Sequence, residues 1–274
     1  MYCKFYGLKE RPFNVTSDPA FFYSSKKHKE AISHLLYGVS QRKGIMVLTG
    51  EIGTGKTTIC RFFLNQVDKN VKTAFILNPA FSEVQLLESI IKDFGIIPKN
   101  KTKLGMVIEL NNFLLKESAA GNNLVLIVDE AQNLKPVLLE QIRLLSNLET
   151  EKDKLLQVIL VGQPELNDRL NLYDLRQLRQ RIMVRYHIGS LEPDEIKNYI
   201  DWRLEVAGTQ KKIEFSDEAV DMIWRFSGGT PRLINMVCDR ALLAGFVNEA
   251  WDIDFKIIRK CLEELDNYSV GNKI

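Results

Sequence analysis

The sequence predicts an α/β fold: a parallel five-stranded sheet flanked by helices, followed by a small helical lid. Three observations carry this expectation. Five short, mostly apolar runs alternate with segments of helical length up to about residue 190. A glycine-rich turn of the pattern G-x-x-x-x-G-K-[ST], residues 50–57, separates the first run from a helical segment. After Leu191-Glu192-Pro193 only helical patterning continues. Short continuous apolar runs are expected of strands covered on both faces, and crossovers long enough for helices join parallel strands.

Taken in order, residues 1–44 read as a segment that precedes the sheet and belongs to its domain. The first strand is Ile45–Thr49 (IMVLT), apolar and β-branched, and the helix Thr58–Gln66 follows the glycine-rich turn. Further strands are Thr73–Leu77, Leu124–Val128, Val158–Val161 and Met183–Ile188. Their crossovers are Ser82–Phe94, Leu104–Lys116, Val137–Leu148 and Leu166–Arg181. In the last part, Asp194–Ala207 carries Ile196, Ile200 and Leu204 at helical spacing and stops at Gly208. Asp217–Phe226 follows Ser216, a suitable N-cap, and stops at Gly228-Gly229. Thr230 as N-cap and Pro231 at the first helical position open the next helix. A final amphipathic segment covers about 254–265, and the polar tail 269–274 is expected to fray. The expected domains are therefore 1–192, including the N-terminal segment 1–44, and a helical unit 193–268.

Composition narrows the class. The 274 residues include 37 basic and 35 acidic side chains, a net charge of +2 that neither requires nor excludes a nucleic-acid partner. Cys3, Cys60, Cys238 and Cys261 show no C-x-x-C spacing, as expected of free thiols in a reducing compartment. No apolar run approaches the ~18 residues of a membrane span. The N-terminus lacks a signal-peptide core, so the expected location is cytoplasmic.

The chemistry concentrates in a few places. In Gly50-Glu51-Ile52-Gly53-Thr54-Gly55-Lys56-Thr57, followed by Thr58, the glycines let backbone N–H groups turn inward around a phosphate. The following helix adds the positive end of its dipole. Lys56 is placed to reach the β- and γ-phosphates, and the Thr57 hydroxyl to ligate Mg²⁺. The apolar strand Leu124–Val128 ends in Asp129-Glu130. Asp129 suits Mg²⁺, and Glu130 can polarise a water for in-line attack on the γ-phosphate. Gln163 follows the strand VILVG and emerges at the same sheet edge, either touching the γ-phosphate or serving as a plain loop residue. Arg176, Arg179 and Arg181 precede the fifth strand. One of them, with Arg181 ahead of Arg179, is expected to reach a neighbouring subunit's nucleotide; a solvated basic helix and a basic patch touching an acidic partner are the other readings. Arg232 lies near a helix N-terminus, where the dipole disfavours a cation, so a phosphate is a natural partner.

Phosphate loop, Asp-Glu strand end, arginine-bearing helix and G-x-P-R lid, in this order, resemble an AAA+ ATPase, a P-loop NTPase. The segments FYGLKERPF (5–13), DPAFFYSS (18–25), GEIGTGKTT (50–58), VDEAQNL (128–134), RLLSNLE (143–149), LVGQPEL (160–166), LRQRI (178–182) and SGGTPRLIN (227–235) narrow this further. They resemble the ExeA/GspA family, ATPases of the general secretion pathway, over about residues 5–265. The resemblance implies ATP bound with Mg²⁺ at a subunit boundary of a dimer or ring. It implies Asp129 for Mg²⁺, Glu130 for the water, and Gln163 and Arg232 as first and second sensors. It also implies Pro12 and Phe13 beside the adenine, with core packing as the other reading for Phe13, Phe21 and Phe22. A secretion or export machine protein at the inner membrane is the implied partner, with attachment peripheral to that membrane. Secretion members continue into a transmembrane helix and a periplasmic peptidoglycan-binding domain. Neither lies within these 274 residues, so a module of a longer protein and a stand-alone branch both stand.

Two other functions compete. A DNA-associated AAA+ ATPase of the transposition-helper type would use the basic clusters 24–29 and 99–103 on DNA phosphates, unless these are solvated loops. A nucleotide-gated scaffold would bind ATP and hardly turn it over, but has no need of Glu130 or the arginines at 176–181.

Overall fold

The computed structural model describes residues 1–77, 81–150, 153–209 and 212–270. In chain order they form α1 (Tyr2–Phe5), α2 (Lys26–Ser40), β1 (Ile45–Gly50), α3 (Lys56–Gln66), β2 (Val71–Ile76) and α4 (Glu83–Asp93). There follow α5 (Lys103–Ala119), β3 (Asn123–Val128), α6 (Pro136–Leu145), β4 (Gln157–Gly162), α7 (Glu165–Leu170), α8 (Arg176–Gln180) and β5 (Ile182–Ile188). The remainder is α9 (Pro193–Val206), β6 (Glu214–Phe215), α10 (Asp217–Ser227), α11 (Pro231–Val247), β7 (Asp252–Ile253) and α12 (Phe255–Val270).

The chain divides into two compact units, and the division is not a single cut. One unit holds 28–52 and 59–188; the other holds 1–27, 53–58 and 189–274.

The first unit is built on a parallel sheet of strand order β2-β3-β4-β1-β5. Strands β1, β3 and β4 are buried at every position, which explains their unbroken apolar runs. The edge strands β2 and β5 alternate in exposure, and β5 accordingly reads Ile-Met-Val-Arg-Tyr-His-Ile. Its core gathers Leu126, Val128, Ile142, Val158 and Leu160 with Leu86 and Leu87 of α4 and Leu110 and Leu114 of α5. Helix α4 starts with a reciprocal capping box between Ser82 and Gln85, and Thr102 caps α5.

Several elements differ from expectation. Helix α2 lies in the stretch 1–44, read above only as a segment preceding the sheet; Ala31, Ile32, Leu35 and Val39 sit at helical spacing and are buried. The segment 166–181 is not one helix. It breaks after Leu170, where Leu172 adopts φ −56°, ψ 142°, and resumes through a 3₁₀ turn into α8. This break seats Leu170, Leu175 and Leu178 together in the core. Nor is the last part purely helical. Strands β6 and β7 form a short parallel pair, Glu214↔Asp252 and Phe215↔Ile253, that buries Phe215 and Ile253. Of the tail expected to fray, Ser269 and Val270 belong to α12, and 271–274 lie outside the described residues.

The second unit takes in residues 1–27 of the N-terminal segment, and the remainder, 28–44, groups with the sheet. Tyr2, Tyr6, Leu8, Phe13 and Phe21 share a core with α9, α10, α11 and α12. The tie is Arg203 on α9, only 6% exposed. Its guanidinium donates to the carbonyl oxygens of Pro12 at 2.5 Å and Asn14 at 3.0 Å and to the Tyr199 hydroxyl at 3.2 Å. It also lies over the Phe21 ring at 4.9 Å. No carboxylate is among these partners, so the charge is held by carbonyl dipoles and π-faces. In α10, Ser216 accepts from the Ala219 N–H at 3.2 Å, the cap expected from the sequence.

Two outcomes follow. Arg203→Ala leaves two carbonyls without their donor and is expected to cost about 2–4 kcal/mol in urea unfolding. Cys60, Cys238 and Cys261 are buried, and burial pushes the Cys238 and Cys261 thiols up. A thiol reagent at neutral pH should therefore modify only the half-buried Cys3 in the folded protein, and all four cysteines after unfolding.

Candidate functional site

In a parallel sheet every strand ends at the same edge, and register decides which residues emerge side by side. Thr49 of β1 pairs with Gly162 of β4, and Val128 of β3 with Leu160 of β4. Gly50, Asp129 and Gln163 therefore lie at or just beyond the carboxyl ends of three adjacent strands. At that edge Thr49 Oγ1 also lies 3.1 Å from His187 Nδ1 on β5.

Asp129 is 1% exposed. Its backbone N–H extends the β2–β3 pairing by one bond, to Ile76 O at 2.9 Å, and its Oδ1 accepts from the Glu130 N–H at 2.9 Å. Glu130 takes φ 53°, a left-handed conformation uncommon outside glycine and characteristic of constrained sites. The Glu130 Oε2 accepts from Gln132 Nε2 at 2.5 Å and from Gln163 Nε2 at 3.4 Å. Gln132 Oε1 accepts from the Gln163 N–H at 3.1 Å. The structure thus brings together Glu130 and Gln163, both singled out from the sequence, and adds Gln132, which was not. Its signal was available in Val128-Asp129-Glu130-Ala131-Gln132, a polar residue two positions past the acidic pair.

In the second unit, Gly53 and Gly55 have φ of 84° and 93°, a region side chains rarely occupy. Thr54 and Lys56 are 1% and 7% exposed, and α3 begins at Lys56, continuing through Thr57 and Thr58. Gly53 O accepts from the Arg232 N–H at 3.3 Å. A Cβ on Gly53 would lie 2.6 Å from the Arg232 Cβ and 3.2 Å from Thr230 Cγ2. The glycine turn and the start of α11 are therefore packed as closely as only glycine permits. Thr230 is the N-cap residue and Pro231 opens the helix, but the Thr230 side chain makes no capping bond. Arg232 is exposed. Phe13 is 2% exposed, edge-on to Phe215 at 6.5 Å, which places it in the helical core. Pro12 is also buried, its carbonyl taken by Arg203.

The arginines lie in a short stretch of the sheet unit. Arg176 donates to Tyr173 O at 3.4 Å with its guanidinium over the Tyr173 ring at 4.3 Å. Arg179 donates to Asn171 Oδ1 at 3.4 Å. Arg181 follows the last turn of α8. Nearby, Glu149 is held below the usual carboxylate range by Lys154 foremost, with a small contribution from Arg181.

Elsewhere the basic clusters are partly engaged. Lys27 pairs with Glu192 at 2.5 Å and Lys26 with Asp194 at 4.0 Å. Lys103 pairs with Glu83, and Glu109 accepts from the Lys99 and Asn100 N–H groups at 3.1 and 3.0 Å. Among the described residues no group of three or more His, Cys, Asp or Glu side chains gathers as a metal centre. Asp129 and Thr57 are hard oxygen donors of the kind Mg²⁺ takes, and Mg²⁺ characteristically completes its shell with water and substrate phosphates. No helix of the described residues is long and apolar enough to cross a membrane.

These features define a class. Residues 39–170 match the family described as AAA domain, and the five-stranded parallel sheet with its helices is the fold of AAA+ ATPases. Solved structures with this fold include the Aeropyrum pernix ORC2 protein in ADPNP-ADP complexes, with TM-score 0.70 and 17% identity over 93% of this chain and 72% of that one. They also include Cdc6p from Pyrobaculum aerophilum, at TM-score 0.67 and 20% identity over 89% of this chain and 70% of that one. The Thermotoga maritima RuvB Holliday junction branch migration motor matches at TM-score 0.60 and 19% identity over 90% of this chain and 73% of that one. At these identities the likeness is one of fold alone. More narrowly, the chain is 47% identical over 247 residues to General secretion pathway protein A of Aeromonas hydrophila, covering 90% of this chain and 45% of that protein. Through this stretch the chain belongs to the general secretion pathway protein A family, and it spans less than half of the relative's length.

Gly53→Ala forces a side chain into a positive φ and against α11. It is expected to destabilise the protein by about 1 kcal/mol or more, read as a lowered urea midpoint with unchanged m-value.

Proposed function

We propose that the chain binds ATP with Mg²⁺ and hydrolyses it, and that hydrolysis drives or gates assembly of a secretion or export machine. The supporting observation is the row of strand ends, with Gly50, Asp129-Glu130 and Gln163 emerging from β1, β3 and β4 of one parallel sheet. Nucleotides characteristically bind outside the carboxyl ends of such strands.

In this reading the residues of 50–58 cradle the phosphates through backbone N–H groups and the start of α3. Lys56 neutralises the β- and γ-phosphates. Thr57 and Asp129 hold Mg²⁺, which would screen phosphate charge when bound. Glu130 accepts a proton from the attacking water as its oxygen bonds to the γ-phosphorus and the bond to the ADP oxygen breaks. Gln163 touches the γ-phosphate or that water, and Arg232 reads nucleotide state at the start of α11. Arg181, ahead of Arg179, serves a neighbouring copy in a dimer or ring, which makes activity dependent on assembly. Pro12 and Phe13 contribute to the adenine side through the backbone they fix. The secretion role rests on the likeness to General secretion pathway protein A, as do a cytoplasmic location and a partner at the inner membrane.

The DNA-associated alternative has less support, because Lys26, Lys27 and Lys103 are already paired with carboxylates. The deciding experiment is ATPase rate against protein concentration, with and without duplex DNA. Specific activity is expected to rise with concentration and ignore DNA; stimulation by DNA would move the function to the transposition-helper class. Lys56→Ala should lower hydrolysis by roughly 10²-fold or more. Glu130→Gln should lower single-turnover hydrolysis by on the order of 10²–10⁴ with ATP still bound. Equal single-turnover rates for wild type and Glu130→Gln would mean a nucleotide-gated scaffold.

A further inference from the structure

Two amides converge on one oxygen of Glu130, and they are not equivalent. Gln132 Nε2 is 2.5 Å from Oε2, and Gln163 Nε2 is 3.4 Å from the same atom. Gln132 is itself 7% exposed, and its other amide atom, Oε1, accepts the Gln163 N–H at 3.1 Å. Only one orientation of an amide can donate to a carboxylate with nitrogen and accept from an N–H with oxygen, so both contacts select the same rotamer. The neighbouring backbone makes room for it: a Cβ on Gly162 would lie 2.8 Å from Gln132 Oε1. Through its amide, Gln132 thus cross-links the Glu130 carboxylate, past the end of β3, to the Gln163 N–H, past the end of β4.

We propose that Gln132 is the positioning residue of the Glu130 carboxylate, and that the Gln163 amide is the exchangeable contact. This rests on the reading of Glu130 as the group that takes the proton from water. With Oε2 held by Gln132, Oε1 is the oxygen presented to water. The longer Gln163 contact can be exchanged for substrate without freeing Glu130, because the Gln163 backbone stays bonded to Gln132. Positioning of the base and sensing of the phosphate are therefore carried by different side chains on adjacent strand ends. A base displaced from its productive geometry loses rate and not affinity.

The test uses the full chain and single-turnover ATP hydrolysis. Gln132→Met, close in volume and without the amide, is expected to lower the rate tenfold or more while ATP affinity stays within twofold. In a Glu130→Gln background the same change is expected to add less than twofold, because a residue acting through Glu130 has nothing left to position. Gln132→Glu, which sets a carboxylate beside Glu130, should lower the rate at least as much as Gln132→Met. Should Gln132→Met fail to fold, Gln132→Glu and Gly162→Ala, whose Cβ displaces the Gln132 amide, carry the same prediction.

A Gln132→Met rate within twofold of wild type would overturn the proposal. So would a loss of affinity matching the loss of rate, or an undiminished tenfold effect in the Glu130→Gln background, since either marks a merely structural role. A wild-type rate no higher than that of Lys56→Ala would remove the ATPase reading itself, and the proposal with it.

Discussion

Burial of β1, β3 and β4 on both faces is the constraint on which the rest of the sheet unit depends. A strand with no solvent face cannot carry polar side chains along its length, so polar function is displaced to its end. Parallel pairing then sends all three ends to one edge. Gly50, Asp129-Glu130 and Gln163 become neighbours although more than thirty residues separate each from the next. Their proximity is a consequence of hydrogen-bond register, with Thr49 opposite Gly162 and Val128 opposite Leu160.

The edge is then made specific by short polar contacts of unequal strength. Asp129 is fixed by a backbone bond to β2 and by its own carboxylate accepting the next N–H. Glu130 is held at a positive φ, a conformation that persists only where its surroundings over-determine it. Those surroundings are the two glutamine amides, and the missing side chain at Gly162 is what lets one of them approach. A buried amide with both ends satisfied is a rigid element, because any rotation breaks two hydrogen bonds in a region poor in water.

The helical unit follows a different logic. Its core mixes aliphatic and aromatic side chains and recruits residues 1–27 across most of the chain's length. Arg203 closes it by donating to the carbonyl oxygens of buried Pro12 and of Asn14. The glycine turn 53–55 and Thr58 group with this unit, and the Gly53 carbonyl accepts from the first turn of α11. A motif recognised as a local strand–turn–helix signature thus has its middle packed against residues about 180 positions later.

By itself the sequence determined the five strands, most of their crossovers, the phosphate-loop pattern and the acidic strand end. Each depends on local periodicity or on glycine and proline chemistry at fixed spacing, so each is visible without the fold. The same is true of the Ser216 cap and of Pro231 at the start of α11. Helix α2 is equally periodic in Ala31, Ile32, Leu35 and Val39 and is legible by the same spacing. The tertiary structure alone decided the break at Leu172, the β6–β7 pair, and the place of Phe13 in the helical core. In each case a buried side chain overrides local preference, and burial is set by partners distant in sequence. It alone decided the contacts of Gln132 too, because the N–H that orients its amide comes from a neighbouring strand end.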